Sequence, residues 1–414
     1  MRIIIPVISA ALLLSAWSVV TEVSQTNPSA LPADAATVRH EIEQVKSIIR
    51  KLRDRGPALF LLAHDYAHLG AMDEALDYLQ QCISLDQGFD PQGDEEFARL
   101  KGNPQFEKLL ERVHSRYRPV HRAHLAFAVE QKELIPEGLA VDPKTAVLYM
   151  SSLNLRKIVK ITHDGDVSDF IRTGQYSIGP ICGLKVEAED ASLWANVCPD
   201  SGSGAELLHF DKAGRLVDRF SPPSSGPHSF NDLVIRSKDE IYLTDSLANR
   251  VYRFDRRLHR FAEVRLSRDI FYPNGIALSS DGNLLYVADA FGLLLLDLRN
   301  GKSEEVEPAP STTLSGADGL YWYKNTLIAV QNSLGLPRIA VFQLSSDERR
   351  VTGVTPLEYK SPLVQLPTTG AIAASQFYFI SNTGVDNFKD GKIVDPAKLV
   401  PIQISVVDLE PLKK

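Results

Sequence analysis

Between Glu137 and Ser375 the sequence repeats one unit six times. The units open as EGLAVD at Glu137, CGLKVEA at Cys182, NDLVIRS at Asn231, NGIALSS at Asn274, DGLYWYK at Asp318 and TGAIAAS at Thr369, at spacings of 45, 49, 43, 44 and 51 residues. Each opening is followed by a second apolar run: VLYMSS, LWANV, IYLTDS, LYVADA, LIAVQN and FYFISN. In the fourth unit the two runs are joined through Ser280-Asp281-Gly282, and Asp-Gly between apolar runs is a strong hairpin signal. A period of about 40–50 residues, with about four short strands per period, marks a β-propeller. Six units imply six blades around a central channel. The expected fold is mainly β, a six-bladed propeller over residues 126–409, preceded by a small helical domain over 34–118.

The first residue of each unit stands just before the innermost strand of its blade. Radial symmetry therefore brings Glu137, Cys182, Asn231, Asn274, Asp318 and Thr369 to one ring at one mouth of the channel. Glu137, Asn231, Asn274 and Asp318 carry hard oxygen donors, and calcium takes six to eight such oxygens. Two carboxylates facing each other across a channel repel unless a cation lies between them. Asn and Asp before Gly are also ordinary turn formers; it is their recurrence at one register that singles these four out. They are expected to converge on the axis around a divalent cation, Ca2+ first, with Zn2+, Mn2+ or Mg2+ as alternatives. His228, three residues before Asn231, is the histidine placed to serve as a general base.

Residues 1–22, one Arg and then an apolar run, read as a secretory signal peptide or an uncleaved N-terminal anchor. Either implies export, to the periplasm or the cell exterior. Residues 23–33, rich in Ser, Thr, Asn and Pro, read as a linker. From Ala35 the period becomes helical: Ile42, Val45, Ile49 and Leu52 share a face, and Arg55-Gly56-Pro57 is expected to end that helix. Two helices meeting at Gly70 then resemble a tetratricopeptide repeat, with Tyr66, Ala75, Leu79 and Cys82 at its spacing of aromatic, small, large and small. A further helix is expected from Pro104 to Val113. The helical domain is either a small module docked on the propeller or on a protein partner, or an α-hairpin with no binding role. No basic cluster points to nucleic acid; the formal net charge is -7.

The last strand, near Pro401–Leu409, is expected to pair with the chain around Ala126–Val129 and so remove the open sheet edge. The stretch TGVDNFKDGKIVDPAKL after Asn382 is an insertion in the last blade, long enough to cover one mouth. Cys182 opens the innermost strand of the second blade and Cys198 ends its hairpin partner, so the two are expected to face each other and form a disulfide, leaving Cys82 reduced. Closing such a loop stabilises by roughly 3 kcal/mol in the chain-entropy model.

The motifs PEGLAVD, FNDLVI, YPNGIALSSDGNLLYVAD and ADGLYW together resemble the senescence-marker-protein, gluconolactonase and luciferin-regenerating family of six-bladed propellers. More distantly, they look like paraoxonases and strictosidine-synthase-type propellers. The resemblance spans Ala126 to Leu409. It implies a divalent cation at the channel mouth, held by Glu137, Asn231, Asn274 and Asp318, and hydrolysis of lactones. One departure concerns substrate: members acting on sugar lactones often carry Arg two residues before the Phe-Asn-Asp asparagine, where this chain has Ser229. The function expected is a metal-dependent hydrolase of a lactone or related ester, with Asp318 or His228 taking a proton from water. The alternative is a non-catalytic propeller with a structural cation and a helical scaffold for a protein partner. No nucleophile elbow, phosphate-binding Gly-rich loop or paired-Cys zinc spacing is present.

Overall fold

Closure of the ring comes from strands far apart in sequence. His124–Val129 runs antiparallel to Ile402–Asp408, which in turn pairs with Gln376–Ile380, and Gln376–Ile380 with Gly370–Ala373. The sixth blade thus borrows its outermost strand from the chain that precedes the first, as the sequence suggested. The computed structural model describes residues 35–199, 202–332, 335 and 337–410. The leader and linker expected at 1–33 lie outside the described residues.

The other blades are four-stranded antiparallel sheets, innermost strand first. Blade 1 is Leu139–Val141, Leu148–Ser151, Ile158–Ile161 and Val167–Ile171; blade 2 is Ile181–Val186, Leu193–Val197, Glu206–Phe210 and Leu216–Phe220. Blade 3 is Phe230–Ser237, Glu240–Asp245, Arg250–Asp255 and Arg260–Glu263; blade 4 is Ile276–Leu278, Leu284–Asp289, Gly292–Asp297 and Lys302–Glu305. Blade 5 is Ala317–Tyr323, Thr326–Gln331, Arg338–Leu344 and Val351–Tyr359, with Val120–His121 added at its outer edge.

Apolar seams fill the spaces between adjacent blades. Ile181 and Phe210 join Ala140 and Tyr149 between blades 1 and 2; Phe254 and Leu243 meet Trp194 and Leu207 between blades 2 and 3; Phe342 and Leu327 meet Tyr286 and Leu295 between blades 4 and 5. Because both faces of each middle strand are covered, Leu284–Asp289 is buried at every position. That is why these strands read as continuous apolar runs rather than alternating ones. Each large side chain buried in a seam contributes about 1.5–3 kcal/mol of hydrophobic stabilisation.

The helical region comprises α1 (Ala35–Ile48), α2 (Gly56–His68), α3 (Met72–Ser84) and α4 (Pro104–Arg116). Gly56-Pro57 opens α2 rather than ending α1, which stops at Ile48. Proline in a helix's first turn needs no backbone N–H there and is pre-set in φ. Gly70, at φ +77°, turns the chain between α2 and α3. Ala67 and Ala75 are buried where these two helices pack, together with Leu79 and Cys82. Among the described residues no helix is long and apolar enough to cross a membrane.

The helices pack on the propeller itself. Ile42, Val45, Leu61 and Leu62 share a core with Phe291, flanked by Phe271 and Ala290 of blade 4. Gln87 Nε2 donates to the Thr312 carbonyl at 2.8 Å, Asp90 N–H to the Gly335 carbonyl at 3.1 Å, and Lys360 pairs with Asp90 at 2.7 Å. These propeller residues lie in turns on the face where innermost strands begin, so α1–α4 sit on the ring face over blades 4 and 5. The insertion after Asn382 forms a small hairpin, Phe388–Lys389 with Lys392–Ile393. Its Phe388 and Leu399 pack on Ile135, two residues before Glu137.

Cys182 and Cys198 are bonded, with Cα atoms 5.8 Å apart, and Cys82 is free and buried. The pair is not directly opposed as the sequence suggested. A register irregularity between Ile181 and Leu184 shifts the pairing, and Cys198 lies just past its strand with its N–H on the Pro180 carbonyl. Titration of unfolded, unreduced protein with a thiol reagent is expected to count one thiol per chain; three would exclude the bond.

Glu41 of α1 is buried beside Asp65 and His64 of α2. Burial, then the Asp65 charge, push its carboxyl up to about 8 against the opposing effect of His64. Burial alone would lower His64, but the Asp65 hydrogen bond and the Asp94 charge carry it up to about 9. For Glu41, stability is fully present below the ordinary carboxylate range and is lost as pH rises towards 8. Glu41→Gln should therefore melt increasingly above wild type as pH rises from 5 to 8 in paired thermal scans. A gap that stays constant with pH would show that Glu41 is not the titrating group.

Candidate functional site

The six inner strands stand close enough that backbone alone fits between them at the ring register. A Cβ on Gly138 would lie 2.0 Å from the Cys182 carbonyl oxygen, and one on Gly183 would lie 2.3 Å from that of Asn231. The residue after each ring position must therefore be small where the next blade's carbonyl intrudes. Those carbonyls are also held from the side. Thr368 and Thr369 hydroxyls donate to Glu137 O at 2.8 and 2.6 Å, Asn196 Nδ2 to Asn231 O at 3.1 Å, and Thr244 Oγ1 to Asn274 O at 2.8 Å. Pairing slips out of register at Phe230/Leu233 and Ala317/Gly319. Bulges of this kind re-aim side chains, and these two bracket Asn231 and Asp318.

The Asn231 amide has one orientation open to it. Ser246 Oγ donates its only proton to the Pro273 carbonyl at 2.7 Å, so it can only accept from Asn231 Nδ2, at 3.1 Å. This leaves Asn231 Oδ1 buried without a hydrogen-bond partner. Glu137 Oε2 and Asn274 Oδ1 are buried and unpartnered in the same way. Asp318 accepts from Asn332 Nδ2 and from the Asn274 side chain. An unsatisfied buried acceptor costs about 1–3 kcal/mol, and more when charged. Three of them, from three blades, occupy one register.

Several buried carboxylates elsewhere are paired, although Glu41, Asp54, Asp65 and Glu358 also keep a buried oxygen with no hydrogen-bond partner. Asp289 is paired with Arg268 at 2.5 Å, Asp297 with Arg299 at 2.7 Å, and Asp245 lies 2.6 Å from His228. Glu137 and Asp318, each 7% exposed, have no such cation. Burial, then the charges of Asp318 and Asp232, push Glu137 well above the usual range. Burial lifts Asp318 to about 7 against the lowering effect of its Asn332 and Asn274 hydrogen bonds. Among the described residues no group of three or more His, Cys, Asp or Glu side chains is arranged as a metal site. The ring set differs in kind, with two carboxylates and two amide oxygens, the oxygen-only chemistry that suits a hard divalent cation.

His228 is held by Asp245 and Ser224 rather than by a ring residue. Its Nδ1 faces Asp245 Oδ2, its Nε2 lies 3.2 Å from Ser224 Oγ and 3.1 Å from the Ser224 carbonyl, and its ring packs near Phe230 and Tyr252. Asp245 and Asp289 also bind turn N–H groups, those of Ser229 and Ala248 and those of Phe271 and Phe291. Three residues around the ring were not singled out by the sequence: Asn332, Lys185 and Asp232, the last present only as the aspartate of FNDLVI. Asp232 did leave a trace. The residue after the ring position is Gly in every unit except the third, where it is Asp232.

No family profile and no curated protein matches the chain. Solved structures resemble it in fold. A gluconolactonase from Xanthomonas campestris is 15% identical, over 70% of this chain and 90% of that one, with a TM-score of 0.49. A calcium-binding protein, regucalcin, from Agrobacterium tumefaciens is 17% identical over 70% and 95%, with a TM-score of 0.47. A virginiamycin B lyase from Staphylococcus aureus is 16% identical over 61% and 79%, with a TM-score of 0.46.

Without cation, Asp318→Asn removes a buried charge. The wild-type carboxyl disfavours folding as pH rises from the ordinary Asp range through about 7. At pH 8 in chelator the variant should therefore melt a few degrees above wild type, an effect on the order of a few kcal/mol. Added calcium should raise the wild type and leave the variant unmoved. A variant that melts below wild type in chelator would contradict this account of the ring.

Proposed function

We propose that this chain hydrolyses a lactone or related carboxylic ester with a divalent cation, calcium first, held by Glu137, Asn231, Asn274 and Asp318. The observation that carries the proposal is the set of buried oxygens with no partner, on Glu137, Asn231 and Asn274, beside an Asp318 with no counter-ion. When bound, such an ion supplies Lewis-acid polarisation of a carbonyl and stabilises negative charge on oxygen. Asp318 is the residue we assign to proton transfer. Held as an ionised carboxylate beside the ion, it can accept a proton from an attacking water. The Asn332 and Asn274 amides fix its orientation. Asp318 takes a proton from the water as its oxygen bonds to the carbonyl carbon, the ring C–O bond then breaks, and Asp318 returns that proton to the departing oxygen to give a hydroxy acid. His228 is oriented by Asp245, and its Nε2 would have to leave Ser224 before it accepted a proton. The Cys182–Cys198 bond supports export, because such bonds persist in oxidising compartments.

A second reading, a cation that only braces the ring beside a helical scaffold, is favoured by the burial of Glu137, Asn231 and Asp318, each 7% exposed. One assay separates the two. Purified protein is given a panel of lactones and aryl esters in chelator and then with calcium, while its melting temperature is followed. Hydrolysis is expected to require cation. Asp318→Ala should lose at least about 100-fold in kcat/KM, and Glu137→Ala should need much more calcium. Full activity in Asp318→Ala would sink the mechanism. Calcium-dependent melting with no substrate turned over would establish the second reading.

A further inference from the structure

Beneath the ring lies a second layer of charge. Lys185 and Tyr321 each stand three residues after a ring residue, Cys182 and Asp318, on blades 2 and 5. In a six-bladed ring those blades face each other. The Lys185 Nζ nevertheless lies 5.7 Å from the centroid of the Tyr321 ring, so the lysine reaches across the channel. The Tyr321 hydroxyl accepts the Gly370 N–H at 2.7 Å, which places it at the position just after the ring. Asp232 occupies that same position on blade 3, 8% exposed, taking the Leu233 N–H at 2.8 Å and the Ile276 N–H at 3.3 Å. Lys185 offsets the effect of burial on Asp232, whose carboxyl is still raised to about 6. Asp232 in turn acts on both Glu137 and Asp318. Ring and floor therefore form one electrostatic unit.

Its charge can be counted. Glu137, Asp318 and Asp232 bring three negative charges and Lys185 one positive, which leaves two negative. Charged groups farther along the inner strands are paired locally, Glu187 with Arg256 at 2.8 Å and Arg236 with Glu240 at 2.7 Å, and Asp142 is held in its own turn by Lys144 N–H and Thr145 Oγ1. A double positive charge balances the unit.

Resting on the cation site proposed above, we infer that Lys185 is a built-in counter-charge under the ring that tunes it to a divalent rather than a trivalent ion. A positive charge on Lys185, acting through the floor beside Asp232, repels a trivalent ion more than a divalent one, and the low-dielectric channel magnifies the difference. Asp232 acts in the opposite sense.

The test uses the full chain, stripped of metal, at pH 8, titrated with Ca2+ and separately with Tb3+ by calorimetry, with folding checked by circular dichroism. Lys185→Met is expected to raise the Tb3+-over-Ca2+ affinity ratio about tenfold or more. Lys185→Arg should leave it unchanged, Asp232→Asn should lower it, and the Lys185→Met/Asp232→Asn double variant should return it close to wild type. A purely structural role would not produce that reversal. A ratio in Lys185→Met within about twofold of wild type, or a double variant that does not revert, overturns the inference while leaving the cation site standing. If wild type binds neither ion, the site itself falls and the inference with it. Should Lys185→Met fail to fold, Asp232→Asn decides alone: a lowered ratio supports the inference and an unchanged one ends it.

Discussion

How closely six strands can approach around an axis decides everything else in this propeller. At Gly138 and Gly183 the neighbouring carbonyl occupies the space a side chain would need. A wider channel would put the ring residues out of reach of each other's fields. At this spacing Glu137, Asp318 and Asp232 act on one another, and hydroxyl and amide groups of the adjacent blade can hold the ring carbonyls. The interblade seams then supply the stability that lets so much polarity be buried at the centre.

That polarity is costly without a cation. Buried carboxylates and unpaired acceptors each oppose folding, and at Asp289 and Asp297 the cost is offset by an arginine. Among the described residues no arginine or lysine is ion-paired with Glu137 or Asp318, and Lys185 offsets only Asp232 below them. Local strain of this kind marks a place where a protein gives up stability for something it binds.

Much of the fold could be read from the sequence, because its signals are local. Six turn-and-strand openings at near-constant spacing fix the blades, Gly70 fixes a helical hairpin, and the apolar pattern of 124–129 matches a strand for closure. Gly56-Pro57 misled because the same dipeptide suits a helix's first turn as well as its end. Where α1–α4 dock left no sequence signal, since the hydrogen bonds that hold them span large separations, as between Gln87 and Thr312. At the site, the residue types of the ring were legible. The free oxygens were not, because the orientation of the Asn231 amide depends on where the Ser246 proton goes. Lys185 and Tyr321 were invisible for a different reason: six repeats say which blades oppose, but not that a lysine side chain spans the channel between them.

The closing strand pair carries a consequence for assembly during synthesis. His124–Val129 must wait for Ile402–Asp408, nearly the whole propeller later. Until then the last sheet has an open edge, and Glu137 lacks the Thr368 and Thr369 hydroxyls that hold its carbonyl. The ring is thus a late product of biogenesis. A nascent chain paused before residue 402 exposes an open β edge next to half-formed blades, which makes the interval before closure the time when strand-edge association competes most with folding.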